Sequence, residues 1–153
     1  MSDTTLYCIK MNNSNNKITL PIRQTEQSAG YDLYANSTGV ILPNTHKLIK
    51  TGICVKIPNN HVGQIWIRSS LSLKYAIEAG AGIIDSDYQG ELGVILYNHG
   101  VCDFNYNNDM RIAQLLIIPI IAPNIVECVD DKDFIKKFTS NERGIGGFGS
   151  TGE

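Results

Sequence analysis

The chain has 153 residues, enough for one domain with a core of its own. It is 42% hydrophobic and 18% charged, an ordinary globular balance, and its formal charge of −2 leaves no surplus of Lys or Arg to displace counterions from nucleic acid. Broad nucleic-acid binding is excluded on that ground, whereas a local basic site for a small anion is not.

Taken from the N-terminus, apolar or alternating segments predict strands over Thr5 to Met11, Val40 to Leu42, Leu48 to Ile57 and Val62 to Ile67. The polar stretch Asn12 to Asn16 reads as a solvated turn, and Pro43-Asn44 and Pro58-Asn59-Asn60 as tighter ones. Ser70 to Ala76 predicts a short helix. Further strands are expected over Leu92 to Tyr97, Met110 to Ile118 and Ile125 to Val129, with turns at His99-Gly100 and Asn107-Asn108. The fold class is therefore all-β, a jelly-roll-like sandwich of short strands. Gly93 to Leu96 and Ala113 to Ile118 are apolar on both faces, so each is either central in the sandwich or covered by a second subunit. Asp130, Asp131 and Asp133, with Lys132 among them, read as a solvated loop.

From Asn141 the composition changes. Arg143 to Gly152 holds five glycines in ten residues and too little apolar area to fix itself. The expected organisation is one β domain over residues 1–140 and a flexible glycine-rich arm over 141–153, with no repeat and no second domain. The longest apolar run, Leu115 to Ile121, is broken by Pro119 and too short for a bilayer, and no basic-then-apolar leader opens the chain. The protein is expected to be intracellular, cytoplasmic or nuclear, not secreted and without a membrane partner.

Cys8, Cys54, Cys102 and Cys128 are scattered without a Cys-x-x-Cys pair and read as reduced thiols in or near the core. His46, His61 and His99 have no neighbour at metal-ligand spacing, and no Gly-x-Ser-x-Gly elbow is present.

Three segments carry the residue types that chemistry needs. In Gly80 to Gly90, Gly80 and Gly82 permit close backbone approach, and Asp85 beside Ile83-Ile84 suits a partly desolvated general base, with Asp87 sharing its face if the chain is extended. An ordinary Asp-rich turn explains the same residues. Arg68-Ser69-Ser70-Leu71 follows a strand and offers a guanidinium, hydroxyls and backbone N–H groups to phosphate; a capped helix start explains it equally. The C-terminal segment lacks a P-loop lysine, yet combines Arg143, glycine N–H groups, Ser150, Thr151 and the Phe148 ring, as a flap over a nucleotide would.

Together these segments resemble the trimeric dUTPases. Ala29-Gly-Tyr-Asp-Leu-Tyr-Ala35 is similar to that family's first motif and Arg68-Ser-Ser-Leu71 to its second. Gly82-Ile-Ile-Asp-Ser-Asp-Tyr-Gln-Gly90 resembles the third, Arg111-Ile-Ala-Gln-Leu115 the fourth and Arg143 to Gly152 the fifth, all in the family's order. The resemblance implies a homotrimer with shared active sites that hydrolyses dUTP to dUMP and pyrophosphate, supplying dUMP and keeping uracil out of DNA. Carried over by position, Asp85 activates the attacking water, Tyr88 packs under the deoxyribose, and the main chain of Gly82, Ile83 and Ile84 reads uracil. Arg68, Ser69, Ser70 and Gln114 hold phosphates; Arg143, Phe148, Gly149, Ser150 and Thr151 close over the nucleotide. The implied cofactor is Mg2+, held mainly by the triphosphate, with Asp32 in its outer shell.

Two motifs depart from the family's pattern: Ser70 stands where the second motif usually has Gly, and Asp109-Met110 precedes Arg111 where the fourth usually has Gly-Asp. The alternatives are a dCTP deaminase of the same fold and a non-catalytic nucleotide-binding relative. The deaminases resemble Leu-Glu-Phe-Tyr-Asn where this chain has Val94-Ile95-Leu96-Tyr97-Asn98, so Ile95 stands in place of their water-activating Glu.

Overall fold

The structure, a computed structural model, describes residues 5–11 and 17–137. Its elements in chain order are β1 (Tyr7–Lys10), β2 (Tyr31–Tyr34), β3 (Gly39–Ile41), β4 (Thr45–Lys56), β5 (His61–Trp66), α1 (Ser69–Tyr75), β6 (Ile77–Gly80), β7 (Ile83–Ile84), β8 (Glu91–Asn98), β9 (Phe104–Tyr106), β10 (Arg111–Pro119) and α2 (Asp131–Lys136). One antiparallel sheet runs β1-β4-β8-β6 and a second β2-β10-β5-β7; β3 and β9 make a two-stranded ribbon. Neighbours in a sheet are mostly distant in sequence, as in a jelly roll, and the expected all-β sandwich class holds.

Alternation along the strands builds the core. Leu92, Val94 and Leu96 of β8 are each fully buried and meet Ile49, Ile65 and Leu115 in a single apolar cluster fed by both sheets. Burying each such side chain stabilises the fold by about 1.5–3 kcal/mol. The opposite face of β8 carries the half-buried Gly93 and Ile95 and the exposed Tyr97, beside the exposed Leu48 of β4. Within one chain the double-apolar strand is thus covered on one face.

Two compact units divide the chain, Met1–Ile121 and Ala122–Glu153. In the second, the strand expected over Ile125 to Val129 is absent: Ile125, Val126 and Val129 are 98%, 79% and 94% exposed, and no other described strand pairs with them. A β pattern without a ladder partner has nowhere to place its backbone hydrogen bonds. The acidic group expected to be a loop instead starts α2, where the Asp130 side chain accepts from the Asp133 N–H and caps the helix. All four cysteines are free; Cys8, Cys54 and Cys128 are half-buried, Cys102 is exposed, and burial pushes the Cys8 thiol up from its ordinary value. Among the described residues no helix is long and apolar enough to cross a membrane. The arm expected over residues 141–153 lies outside the described residues.

Candidate active site

The site residues of the first, second and fourth motifs converge on one carboxylate. Asp32 of β2 pairs in register with Gln114 of β10, which pairs in turn with Trp66 of β5, so the three occupy one rung of the sheet. A bulge between Arg111 and Ala113 buries two consecutive residues, Ile112 and Ala113, and brings Arg111 to the side where Asp32 lies. Arg111 Nη1 stands 3.2 Å from Asp32 Oδ2, and Arg68 Nε stands 3.3 Å from Oδ1. Arg68 also donates from Nη1 to the Arg111 carbonyl at 3.4 Å.

Asp32 is only 8% exposed, and two guanidiniums on one buried carboxylate leave a positive excess at the edge of the sheet. That excess would suit the small anion which the overall charge did not exclude. Arg68 occupies the N-cap position of α1, with no side-chain cap, so Ser69 and Ser70 lie inside the first turn. Their hydroxyls are not spent on capping, contrary to the capped-start alternative. Gln114 Nε2 donates to the Ile67 carbonyl at 3.2 Å, which holds its amide beside this group. Gly30 of the first motif makes the room: a Cβ there would stand 2.3 Å from Gln114 Oε1. Arg111, which sequence reasoning placed in a motif without assigning it a role, is thus half of the arginine pair.

The third motif builds a separate cleft. β6 belongs to one sheet and β7 to the other, and the chain crosses between them through Ala81 and Gly82, at φ 54° and 98°. Gly82 is required here, because a Cβ would lie 2.8 Å from the Ile65 carbonyl; its own carbonyl accepts from Ile65 N–H at 2.7 Å. The cleft beside this crossing has a volume of about 290 Å³ and is lined by Gly82, Ile83, Ile84, Asp85 and Tyr88 on one side, and by Leu48, Gly93 and Ile95 on the other. Tyr88 donates its hydroxyl to the Glu91 carbonyl at 3.1 Å.

Two expectations for this segment change. Ser86 and Asp87 form a turn closed by Tyr88 N–H to the Asp85 carbonyl at 3.1 Å, so the chain is not extended there. Asp85 lines the cleft and Asp87 does not. Partial desolvation of Asp85 is also absent within one chain: it is exposed, and its neighbour Ile83 is 60% exposed. Any desolvation has to come from what covers the cleft.

Within one chain these are two separate candidate half-sites, since the Asp85 cleft is lined by neither Arg68 nor Gln114. Arg143, Phe148, Gly149, Ser150 and Thr151 lie outside the described residues. Asp109, at φ 65°, tolerates the left-handed backbone that the usual glycine would adopt, and accepts hydrogen bonds from Lys17 and Thr19 that hold its carboxyl below the ordinary carboxylate range. Met110, where the family usually has Asp, is packed against the core.

Among the described residues no three His, Cys, Asp or Glu side chains are placed to hold a metal. Asp32 has each of its oxygens facing a guanidinium. Such a donor set makes no protein cage, but it fits a Mg2+ that arrives on a phosphate ligand and keeps most of its water.

A dUTPase family model matches residues 16–152. The deoxyuridine 5'-triphosphate nucleotidohydrolase of fowlpox virus (strain NVSL) is 43% identical over 152 residues, covering 99% of each chain. That of Clostridioides difficile is 41% identical over 149 residues, 96% of this chain and 99% of its own. Among solved structures, a mutant dUTPase of Staphylococcus bacteriophage 80alpha with dUpNHpp aligns at a TM-score of 0.83 and 28% identity, over 97% of this chain and 99% of that one. A mutant dUTPase from phage phi11 of S. aureus, described with a structural Mg(II) ion, aligns at 0.76 and 27% identity, over 84% and 99%. By its motifs, its sheet order and this near full-length match, the chain belongs to the dUTPase family.

Proposed function

We propose that the chain hydrolyses dUTP to dUMP and pyrophosphate by attack of water on the α-phosphorus. The observation that carries this reading is the pair of half-sites, one an arginine pair anchored on Asp32 and the other a cleft whose Asp85 carboxylate has no partner among the described residues. The first suits a triphosphate and the second a base, a sugar and a water.

Arg68, Ser69, Ser70 and Gln114 bind phosphate oxygens. The backbone of Gly82, Ile83 and Ile84 meets the uracil edge, and Tyr88 lies under the deoxyribose. Asp85 takes the proton of the attacking water, a contribution typically worth about a hundred- to ten-thousandfold in rate. Arg143, Phe148, Gly149, Ser150 and Thr151 close over the nucleotide, which excludes bulk water and supplies the desolvation Asp85 lacks in one chain. Mg2+, when bound, offsets charge on the phosphate oxygens, held by the triphosphate with Asp32 no nearer than its outer shell.

A homotrimer with active sites between subunits follows from the same reading. Its support is the separation of the two half-sites, together with the half-exposed row of Leu48, Ile95 and Tyr97 that a second copy would cover. The deaminase alternative loses ground because Ile95 lines the cleft with an aliphatic side chain.

The test is pyrophosphate release from dUTP, dCTP, UTP and dTTP, with ammonia release from dCTP followed in parallel. Release from dUTP in clear preference to the other three is expected. Conversion of dCTP to a uracil nucleotide with release of ammonia would replace this reading with deamination, and binding without release from any nucleotide would make the chain a non-catalytic relative.

A further inference from the structure

Tyr88 is 44% exposed, so packing alone does not fix its ring. Two features do. Gly90 leaves the space the ring occupies, since a Cβ there would stand 2.4 Å from Tyr88 Oη, and the hydroxyl donates to the Glu91 carbonyl at 3.1 Å. The ring is therefore only as well placed as the backbone of Glu91.

That backbone is clamped from an unexpected side. Between β4 and β8 the register jumps from Lys50 opposite Gly93 to Cys54 opposite Glu91, so β4 carries extra residues in a bulge. Gly52 lies in the bulge at φ 74°, where the ladder offers its N–H no partner. The Glu91 side chain supplies one: Oε1 accepts from Gly52 N–H at 2.9 Å, while Oε2 stands 3.4 Å from Lys50 Nζ. Thr51 pins the next residue, donating to the Leu92 carbonyl at 2.7 Å. The Glu91 carboxylate is 18% exposed and makes both contacts with β4, so it is placed to brace its own main chain.

We infer that Glu91 is a positioning residue for sugar selection: by anchoring its backbone to the β4 bulge it fixes the carbonyl that holds Tyr88 against the deoxyribose. The inference rests on the proposed role of Tyr88 in excluding a 2′-hydroxyl. Glu91 also lines the cleft, but both of its carboxylate oxygens are engaged by β4, so the role inferred for it is exerted through the tyrosine. A loosened ring makes room for the extra oxygen of a ribonucleotide, so selectivity suffers before turnover of the correct substrate does.

The experiment compares kcat/KM for dUTP and UTP in the full chain, with thermal unfolding followed alongside. Glu91→Ala is expected to lower the dUTP-to-UTP ratio by roughly three- to tenfold, the range that loss of one hydrogen bond spans. Glu91→Gln keeps an oxygen to accept from Gly52 N–H and is expected to restore the ratio, even though the Lys50 ion pair is gone. Tyr88→Phe removes only the hydroxyl, leaves the bulge intact and should narrow the ratio by a similar factor; combined with Glu91→Ala it should narrow it no further. A purely structural Glu91 would depress kcat/KM for both nucleotides alike and leave the ratio at the wild-type value, which overturns the inference, as would additive effects in the double variant. A wild-type chain that hydrolyses UTP as readily as dUTP defeats the Tyr88 reading itself. A discriminating wild type with an equally discriminating Glu91→Ala defeats the role of Glu91 alone.

Discussion

The two half-sites are built to different standards. Around Asp32 the groups are interlocked: a buried carboxylate faces two guanidiniums, one guanidinium reaches the other arginine's carbonyl, and Gln114 is tied to Ile67. Around Asp85 they are open, and no described residue contacts its carboxylate through a hydrogen bond or ion pair. Phosphate binding profits from donors fixed beforehand, because ordering them at the moment of binding would cost affinity. A carboxylate that must activate a water gains nothing from a permanent partner, which would hold it in the charged form and make it a weaker base. In the proposed reading the first half binds the phosphates, and the second activates the water beside the base and sugar that it holds.

The sharpest way to break that assignment is Asp85→Asn. The amide keeps the size of the side chain and loses the base, so turnover of dUTP should fall by about a hundred- to ten-thousandfold. Affinity for a non-hydrolysable analogue, measured by titration calorimetry, should change little. Near-normal turnover would remove Asp85 as the base and turn attention to Asp87, which lies in the adjoining turn.

How much of this was legible in the sequence depends on how far each feature reaches. β4 and β5 announce themselves by alternation and β8 and β10 by apolar runs, and the structure shifts their ends by only a few residues. β2 does not, because Asp32 is buried next to Leu33 and breaks the alternation of apolar residues. β6, Ile-Glu-Ala-Gly, and the two-residue β7 are too short to show a period. The motifs marked Arg68, Asp85 and Gln114 as candidates, but that Asp32 binds Arg68 and Arg111 together is a fact of sheet order. Glu91 was illegible for the same reason: its role exists only because β4 bulges opposite it. Desolvation of Asp85 was expected from Ile83-Ile84, but Ile83 is itself largely exposed in one chain.

A second, smaller effect sharpens the comparison from the other side. Asp32→Asn leaves two guanidiniums without a counter-charge. Both keep access to water, so the destabilisation should be about 1–3 kcal/mol rather than the larger loss of a fully buried pair. The arginines also lose their fixed direction, and kcat/KM for dUTP should fall by about tenfold, mostly through KM. Urea unfolding and steady-state kinetics measure the two. A loss confined to kcat, with KM unchanged, would mean that the Asp32 group acts in the chemical step and that the division of labour is wrong.

The smallest effect concerns Asp109, which shares the fourth motif with Arg111 but touches neither arginine of the pair in any described contact. Hydrogen bonds from Lys17 and Thr19 hold its carboxyl below the ordinary carboxylate value near 4, so the folded state favours the ionised form. The sign follows from linkage: the stabilisation is fully present above the unfolded-state value and is lost as the pH falls through the lowered one. Asp109→Asn tolerates the same left-handed backbone and does not titrate. At neutral pH it should lower the melting temperature by no more than about 2 °C, since the pair is solvent-exposed. Below about pH 4 the wild type should lose stability faster than the variant, and the two curves should converge. The KM for dUTP should move less than in Asp32→Asn, because this carboxylate ties the turn to the Lys17–Thr19 segment and orients no guanidinium. Parallel melting curves from pH 7 to pH 2 would show that Lys17 and Thr19 do not hold Asp109 in solution. A KM shift as large as that of Asp32→Asn would enlarge the interlocked half-site to include the whole fourth-motif turn.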